Sequence, residues 1–142
     1  MKILVATDGS KSALHAVKYA SQLCAAIGPG SSSITLISVH DDVGLRHAKA
    51  YVGRATVDDY LRETSEKELR PARKLLDAAG LKHDMAIRTG HVAQEIVAFA
   101  KAGRFDLIVL GAKGRGAVAD LLLGSVAQRV LATAAQPVLL VK

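Results

Sequence analysis

The residues best suited to chemistry form a glycine-punctuated run, Gly111-Ala112-Lys113-Gly114-Arg115-Gly116, followed by Gly124-Ser125-Val126-Ala127. Its spacing is G-x2-G-x9-G-S. Glycine lets a chain bend at positive φ and lets amides approach an anion with no side chain in the way. A helix opening near Ser125 would add unpaired N–H groups and a partial positive charge, and the Ser125 hydroxyl can donate to a phosphate oxygen. The chemistry indicated is a phosphate cradle made of backbone. A Walker A loop is excluded, because Ala117 follows Gly116 where lysine should stand. A dinucleotide fingerprint forced onto Gly114, Gly116 and Ala119 also fails. Asp120 is the last acid in the chain, so the carboxylate expected about twenty residues on is missing.

Other constellations are weaker. Asp8, in Asp8-Gly9-Ser10, is either a ligand-facing carboxylate or the start of an Asx turn that ends a strand. His40-Asp41-Asp42 offers metal-ligand types, but one histidine beside two acids in a loop is usually solvated, and that reading is preferred. No Ser-His-Asp set can be argued from spacing. Cys24 stands alone, which rules out an internal disulfide and suits a small core residue.

The elements that must position these residues alternate. Residues 2–7 read as a buried strand, with Ser10 as N-cap for a helix carrying Ala13, Ala16, Val17, Ala20, Leu23, Cys24 and Ile27. Residues 34–39 are a second strand, and 40–55, with no firm period, read as a loop. A charged helix over 56–79 presents a solvated face, closes at Gly80, and should be kinked or interrupted by Pro71. A weaker strand over 82–88, a short helix over 92–102, a strongly apolar strand over 106–110, a helix capped by Ser125 and a last strand over 138–141 complete the chain. Five strands alternating with four helices predict a single α/β domain over residues 1–142: an open five-stranded parallel sheet with helices on both faces. In such sheets ligands sit beyond the carboxyl ends of the strands where strand order reverses, so the loops after the first and fourth strands are the informative ones.

Composition narrows the class. Half of the 142 residues are apolar but only 4% are aromatic, which implies an aliphatic core of the kind that covers parallel sheets. The net charge of +6 is spread among interleaved acids, with no aromatic platform and no helix-turn-helix signal, so no nucleic-acid partner is expected. No apolar run suits a signal peptide or a membrane span, and the expectation is a cytoplasmic protein with no membrane association.

The whole chain resembles the universal stress protein family, and the spacing from Gly111 to Ser125 is similar to that of its ATP-binding subclass. The opening Ile3-Leu4-Val5-Ala6-Thr7-Asp8-Gly9-Ser10 and the ending from Leu122-Leu123-Gly124-Ser125-Val126-Ala127 to Pro137-Val138-Leu139-Leu140-Val141 carry the likeness, with Asp106-Leu107-Ile108-Val109-Leu110-Gly111 between them. The resemblance implies a Rossmann-like fold of the adenine nucleotide alpha hydrolase type and ATP as ligand, with magnesium carried by the triphosphate. It implies that Asp8 bonds ribose hydroxyls or the base edge beside Ala6, and that Val39 contacts adenine. Leu110 and Gly111 would flank the ribose and first phosphate. Gly114, Gly124, Ser125 and Val126 would hold the phosphates, with Arg115 reaching the outer ones. The chain departs from the family pattern at His40-Asp41-Asp42-Val43, where a proline is common, and at Gly90-His91-Val92, where an acid followed by proline is common.

The resemblance also places the last strand on a sheet edge. Val138-Leu139-Leu140-Val141 would be a pairing hazard if left open there, and a homodimer through this strand is the expected resolution. Three functions follow: a nucleotide-loaded sensor or regulator in the stress response with an unknown protein partner, a slow ATPase or autokinase, or a dimeric scaffold that binds no ATP. The first is favoured, because the loop shows no clear general base beside the phosphates.

Overall fold

The computed structural model describes residues 1–28, 30–41, 43–114 and 123–142. Its elements run β1 (Lys2–Ala6), α1 (Lys11–Ile27), β2 (Ser33–His40), α2 (Val43–Val52), α3 (Arg54–Ala78), β3 (His83–Thr89), α4 (Val92–Ala102), β4 (Leu107–Gly111), α5 (Ser125–Thr133) and β5 (Val138–Val141). The strands form one sheet in the order β3-β2-β1-β4-β5, and every neighbouring pair is parallel.

The central strands are apolar at successive positions because both of their faces are covered. Along β1, Ile3 and Val5 point to one face and Leu4 to the other, and all three are fully buried. On the first face, Ala16, Val17, Ala20 and Cys24 of α1 and Leu69, Ala72 and Leu76 of α3 pack over Ile34, Leu36 and Val109. On the second, Ala93, Ile96 and Ala100 of α4 and Val130 of α5 pack over Leu4, Ile37, Ile108 and Leu110. Small residues on α1 let that helix lie close to the sheet, and Cys24 is one of them. The α/β expectation of helices on both faces holds.

Local signals explain the boundaries. Ser10 caps α1, its hydroxyl accepting from the Ala13 N–H at 3.1 Å. The α3 helix ends in a Schellman turn: Leu81 N–H donates to the Leu76 carbonyl, Gly80 N–H to that of Asp77, and Gly80 takes φ 67.

Three expectations need correction. The stretch expected as a loop over 40–55 contains α2, and α3 begins two residues earlier than expected, at Arg54. Pro71 does not interrupt α3, because Pro71 and Lys67, whose carbonyl loses its donor, both lie on the exposed side where water can replace the bond. Nor is α3 simply a solvated face: Val57, Leu61, Ser65, Leu69, Ala72 and Leu76 make a buried stripe. Among the described residues no helix is long and apolar enough to cross a membrane.

Candidate functional site

From β1 the sheet grows to β2 and β3 on one side and to β4 and β5 on the other, so strand order reverses between β1 and β4. Loops leaving these two strands diverge, and a crevice opens beyond their carboxyl ends. A cavity of about 410 Å³ occupies it. That volume suits a small-molecule site, for which about 300–1,000 Å³ is usual.

The cavity has two unlike ends. Ile37 and Val39, alternate residues on one face of β2, and Val92 and Ile96, one turn apart on α4, make an apolar end. Gly111, Lys113, Gly114, Gly124 and Ser125 make a polar end, with Val126 and Ala127 behind. Ala6, Thr7 and Asp8 line it from the end of β1. Every described residue of the predicted site therefore lines one cavity: Ala6, Asp8, Val39, Leu110, Gly111, Gly114, Gly124, Ser125 and Val126. Arg115 lies outside the described residues.

At the end of β1 the chain turns tightly. Ser10 N–H donates to Asp8 Oδ1 at 2.9 Å, Gly9 N–H donates to Thr7 Oγ1 at 3.2 Å, and Gly9 takes φ 78. The Asx turn expected at Asp8 is present. One carboxylate oxygen closes an Asx turn, while Oδ2 lies 3.1 Å from where a Cβ on Gly114 would stand. Asp8 and Lys113 line the same cavity.

The glycines serve close approach. A Cβ at Gly111 would stand 2.6 Å from Ser12 Oγ and 2.7 Å from the Ser12 carbonyl carbon, so β4 can pass the first turn of α1 only without a side chain there. Ser12 Oγ in turn accepts from the Lys113 N–H at 3.3 Å. A Cβ at Gly124 would lie 3.3 Å from the Gly114 nitrogen. The positive φ expected for this loop is absent from Gly111, Gly114 and Gly124; what their lack of a side chain provides is close approach of the neighbouring segments.

Ala112 joins the loop to the sheet. Its N–H donates to the Val141 carbonyl at 2.7 Å, and its own carbonyl accepts from the Gly124 N–H at 2.7 Å. Gly124, in extended conformation at φ −70, is the N-cap of α5, so Ser125 is its first residue and not its cap. The first helical bond there runs from Gln128 N–H to the Gly124 carbonyl. The amides of Ser125, Val126 and Ala127 precede it and have no acceptor within the helix, and these residues line the cavity. An anion placed there would meet oriented N–H groups and the positive end of the helix.

The apolar end has a polar backbone as well. Thr7 N–H donates to the Ile37 carbonyl at 3.0 Å, and Gly90 N–H donates to the His40 carbonyl at 2.9 Å. Backbone groups along β2 alternate between its two neighbours, so Val39 aims its N–H and C=O toward the β1 side, beyond Ala6 where β1 ends. That presents one donor and one acceptor beside the cavity.

Several lining residues escaped the sequence reading. Lys113 sits inside the glycine motif and was legible as the loop's own cation. Ile37 follows from Val39 by strand alternation, and Val92 and Ile96 follow from each other by helical spacing. Thr7, Ala13 and Ala127 carry no signal beyond their neighbours. The His40 ring, weighed as a metal ligand with Asp41 and Asp42, packs instead against Ser65 of α3; Asp42 lies outside the described residues.

Comparison with known proteins agrees with this geometry. The family model described as "Universal stress protein family" matches residues 1–142. Universal stress protein MJ0531 of Methanocaldococcus jannaschii is 34% identical over 141 residues, spanning 99% of this chain and 81% of that protein. Among solved structures, hypothetical protein MJ0577 of the same organism superposes with a TM-score of 0.86 at 28% identity, covering 99% of this chain and 94% of that one. A universal stress protein solved in complex with cAMP superposes at 0.75, also at 28% identity, with 100% and 97% covered. This chain belongs to the universal stress protein family.

Proposed function

We propose that residues 1–142 act as one domain that binds an adenine nucleotide, ATP, in the cavity between β1 and β4, and that the loaded protein serves as a sensor or regulator in the stress response. One observation carries the reading: a single cavity unites an apolar end with a glycine and helix-start end that suits phosphates. The base would lie between Val39 and Val92, its edge paired with the Val39 backbone. The ribose would face Asp8. The phosphates would meet Gly114, Gly124, Ser125 and Val126, with Lys113 neutralising part of their charge. A family member solved with cAMP supports an adenine nucleotide as the ligand class.

The residues fit the group. The space where Cβ atoms would stand at Gly114 and Gly124 is narrow, so these glycines keep the cradle open for an anion. Magnesium would arrive on the triphosphate, and the described residues include no group of three metal-ligating side chains that would form a separate cage. Asp8 is the only carboxylate among the described lining residues, and it is engaged in the turn. That favours retention of the nucleotide over its turnover, because phosphoryl transfer needs an oriented nucleophile as well as charge stabilisation.

Titrating Mg-ATP into nucleotide-stripped protein by calorimetry tests the reading. Saturable binding that Gly114→Asp removes is the expected result, since the new carboxylate would fill the cradle beside Asp8. Absence of binding to the stripped wild-type protein would overturn it.

A homodimer is part of the same proposal. The β5 strand is a sheet edge of four half-buried apolar residues with no charge among them, which is the kind of edge that pairs. Sedimentation at micromolar concentration should show a dimer that Leu140→Asp converts to monomer. A monomeric wild-type species would remove this part.

A further inference from the structure

Behind the apolar end of the cavity, on the opposite face of β2, lies a polar cluster in an otherwise aliphatic layer. Ser38 and Ser65 are both 0% exposed. The side chains of His40 and Glu68 are 15% and 11% exposed. His40 Nε2 is hydrogen-bonded to Ser65 Oγ at 2.6 Å and lies 3.4 Å from Ser38 Oγ. Ser38 Oγ donates to Glu68 Oε2 at 3.4 Å, and that oxygen is 3.8 Å from His40 Nε2. Two alternate residues of β2 thus meet two residues one turn apart on α3.

Apolar side chains of similar volume would fill this space at no desolvation cost, so a buried polar cluster is a poor way to gain stability. What directional bonds add is a fixed register. Here they fix the stretch of β2 containing Val39, whose neighbours on both sides, Ser38 and His40, are the strand's contribution to the cluster. The His40 carbonyl is held as well, by the Gly90 N–H at 2.9 Å.

We propose that the Ser38-His40-Ser65-Glu68 cluster is a positioning device for base recognition: by tying β2 to α3 it fixes the Val39 backbone donor and acceptor against the base edge. This rests on the nucleotide reading above. The cluster touches no ligand. It acts through Val39, and its effect should fall on selectivity among bases and much less on affinity for the phosphates.

The test compares ATP with GTP by calorimetry in stripped wild-type protein, in His40→Leu, which keeps the volume and removes the bonds, and in His40→Gln, which restores a side chain able to reach Ser65. Wild type should prefer ATP. His40→Leu should cut the ATP-to-GTP affinity ratio roughly tenfold, about the effect of one misaligned hydrogen bond, and His40→Gln should restore part of it. Hydrogen exchange on ligand-free protein reads the same device without nucleotide: the Gly90 amide, bonded to the His40 carbonyl, should exchange faster in His40→Leu while those of Leu4 and Val109 do not change. An unchanged ratio, including equal weakening for both nucleotides, overturns the proposal, and so does unchanged Gly90 exchange. Failure of wild type to bind either nucleotide overturns the parent reading instead, an outcome distinguishable from the others.

Discussion

The two ends of the cavity are built from different material. The apolar end is made of side chains on regular elements, Ile37 and Val39 on β2 and Val92 and Ile96 on α4. The opposite end is made of backbone, with Gly111, Gly114 and Gly124 bringing chain segments close together and α5 starting where the chain returns. Side chains can be exchanged for others of similar volume at modest cost, whereas a backbone surface cannot be altered one group at a time. Substitutions should therefore grade gently at the first end and abruptly at the second.

That contrast can be broken by measurement. The largest effect is expected at Gly111, where a methyl group would collide with the backbone of Ser12. Gly111→Ala should lower stability by about 3 kcal/mol, as severe overpacking does, and urea denaturation would show it as a shifted midpoint with an unchanged slope. A near-neutral result would mean that β4 and α1 can move apart, and that the glycine end is softer than its geometry implies.

A smaller effect is expected at Lys113, the one cation among the described residues of the polar end. Lys113→Gln should weaken ATP by about tenfold and AMP by less on the proposed reading, in which the ammonium acts on the outer phosphates. The difference should shrink at high salt. Equal losses for ATP and AMP would place the lysine elsewhere along the ligand.

The smallest is expected at the apolar end. Val92 is only partly buried, so Val92→Ala should leave stability within about 1 kcal/mol and weaken ATP and AMP alike by roughly threefold through lost apolar contact. If it exceeds Lys113→Gln, the ligand draws its affinity from the base and the contrast between the ends is reversed.

Much of this architecture was legible in the sequence, for identifiable reasons. Both-faced apolar runs such as Ile3-Leu4-Val5 and Leu107-Ile108-Val109 can only be central strands of a covered sheet, and from their alternation with helices the position of the crevice follows. The glycine spacing pointed to the polar end because spacing in one loop survives as proximity in space. The apolar end is assembled from β2 and α4, far apart in sequence, so only Val39 was named, and that through resemblance. The α2 helix was missed because Gly44 and a weak apolar period hide it, and Pro71 misled because a sequence does not say which side of a helix water reaches. His40 was legible as a polar residue but not as a partner of Ser65, since nothing in spacing brings residues 25 apart together.

The two bonds of Ala112 carry a thermodynamic consequence. Its N–H is held by the end of the edge strand β5 and its carbonyl holds the N–H of Gly124 in the cradle, so one residue is shared by both places. If a partner pairs with that edge, the two binding events are linked, and linkage is symmetrical: the factor by which nucleotide tightens or loosens self-association must equal the factor by which self-association changes nucleotide affinity. Dimer dissociation constants measured with and without ATP would give that factor directly, and a value of one would show that Ala112 holds both neighbours without transmitting anything between them.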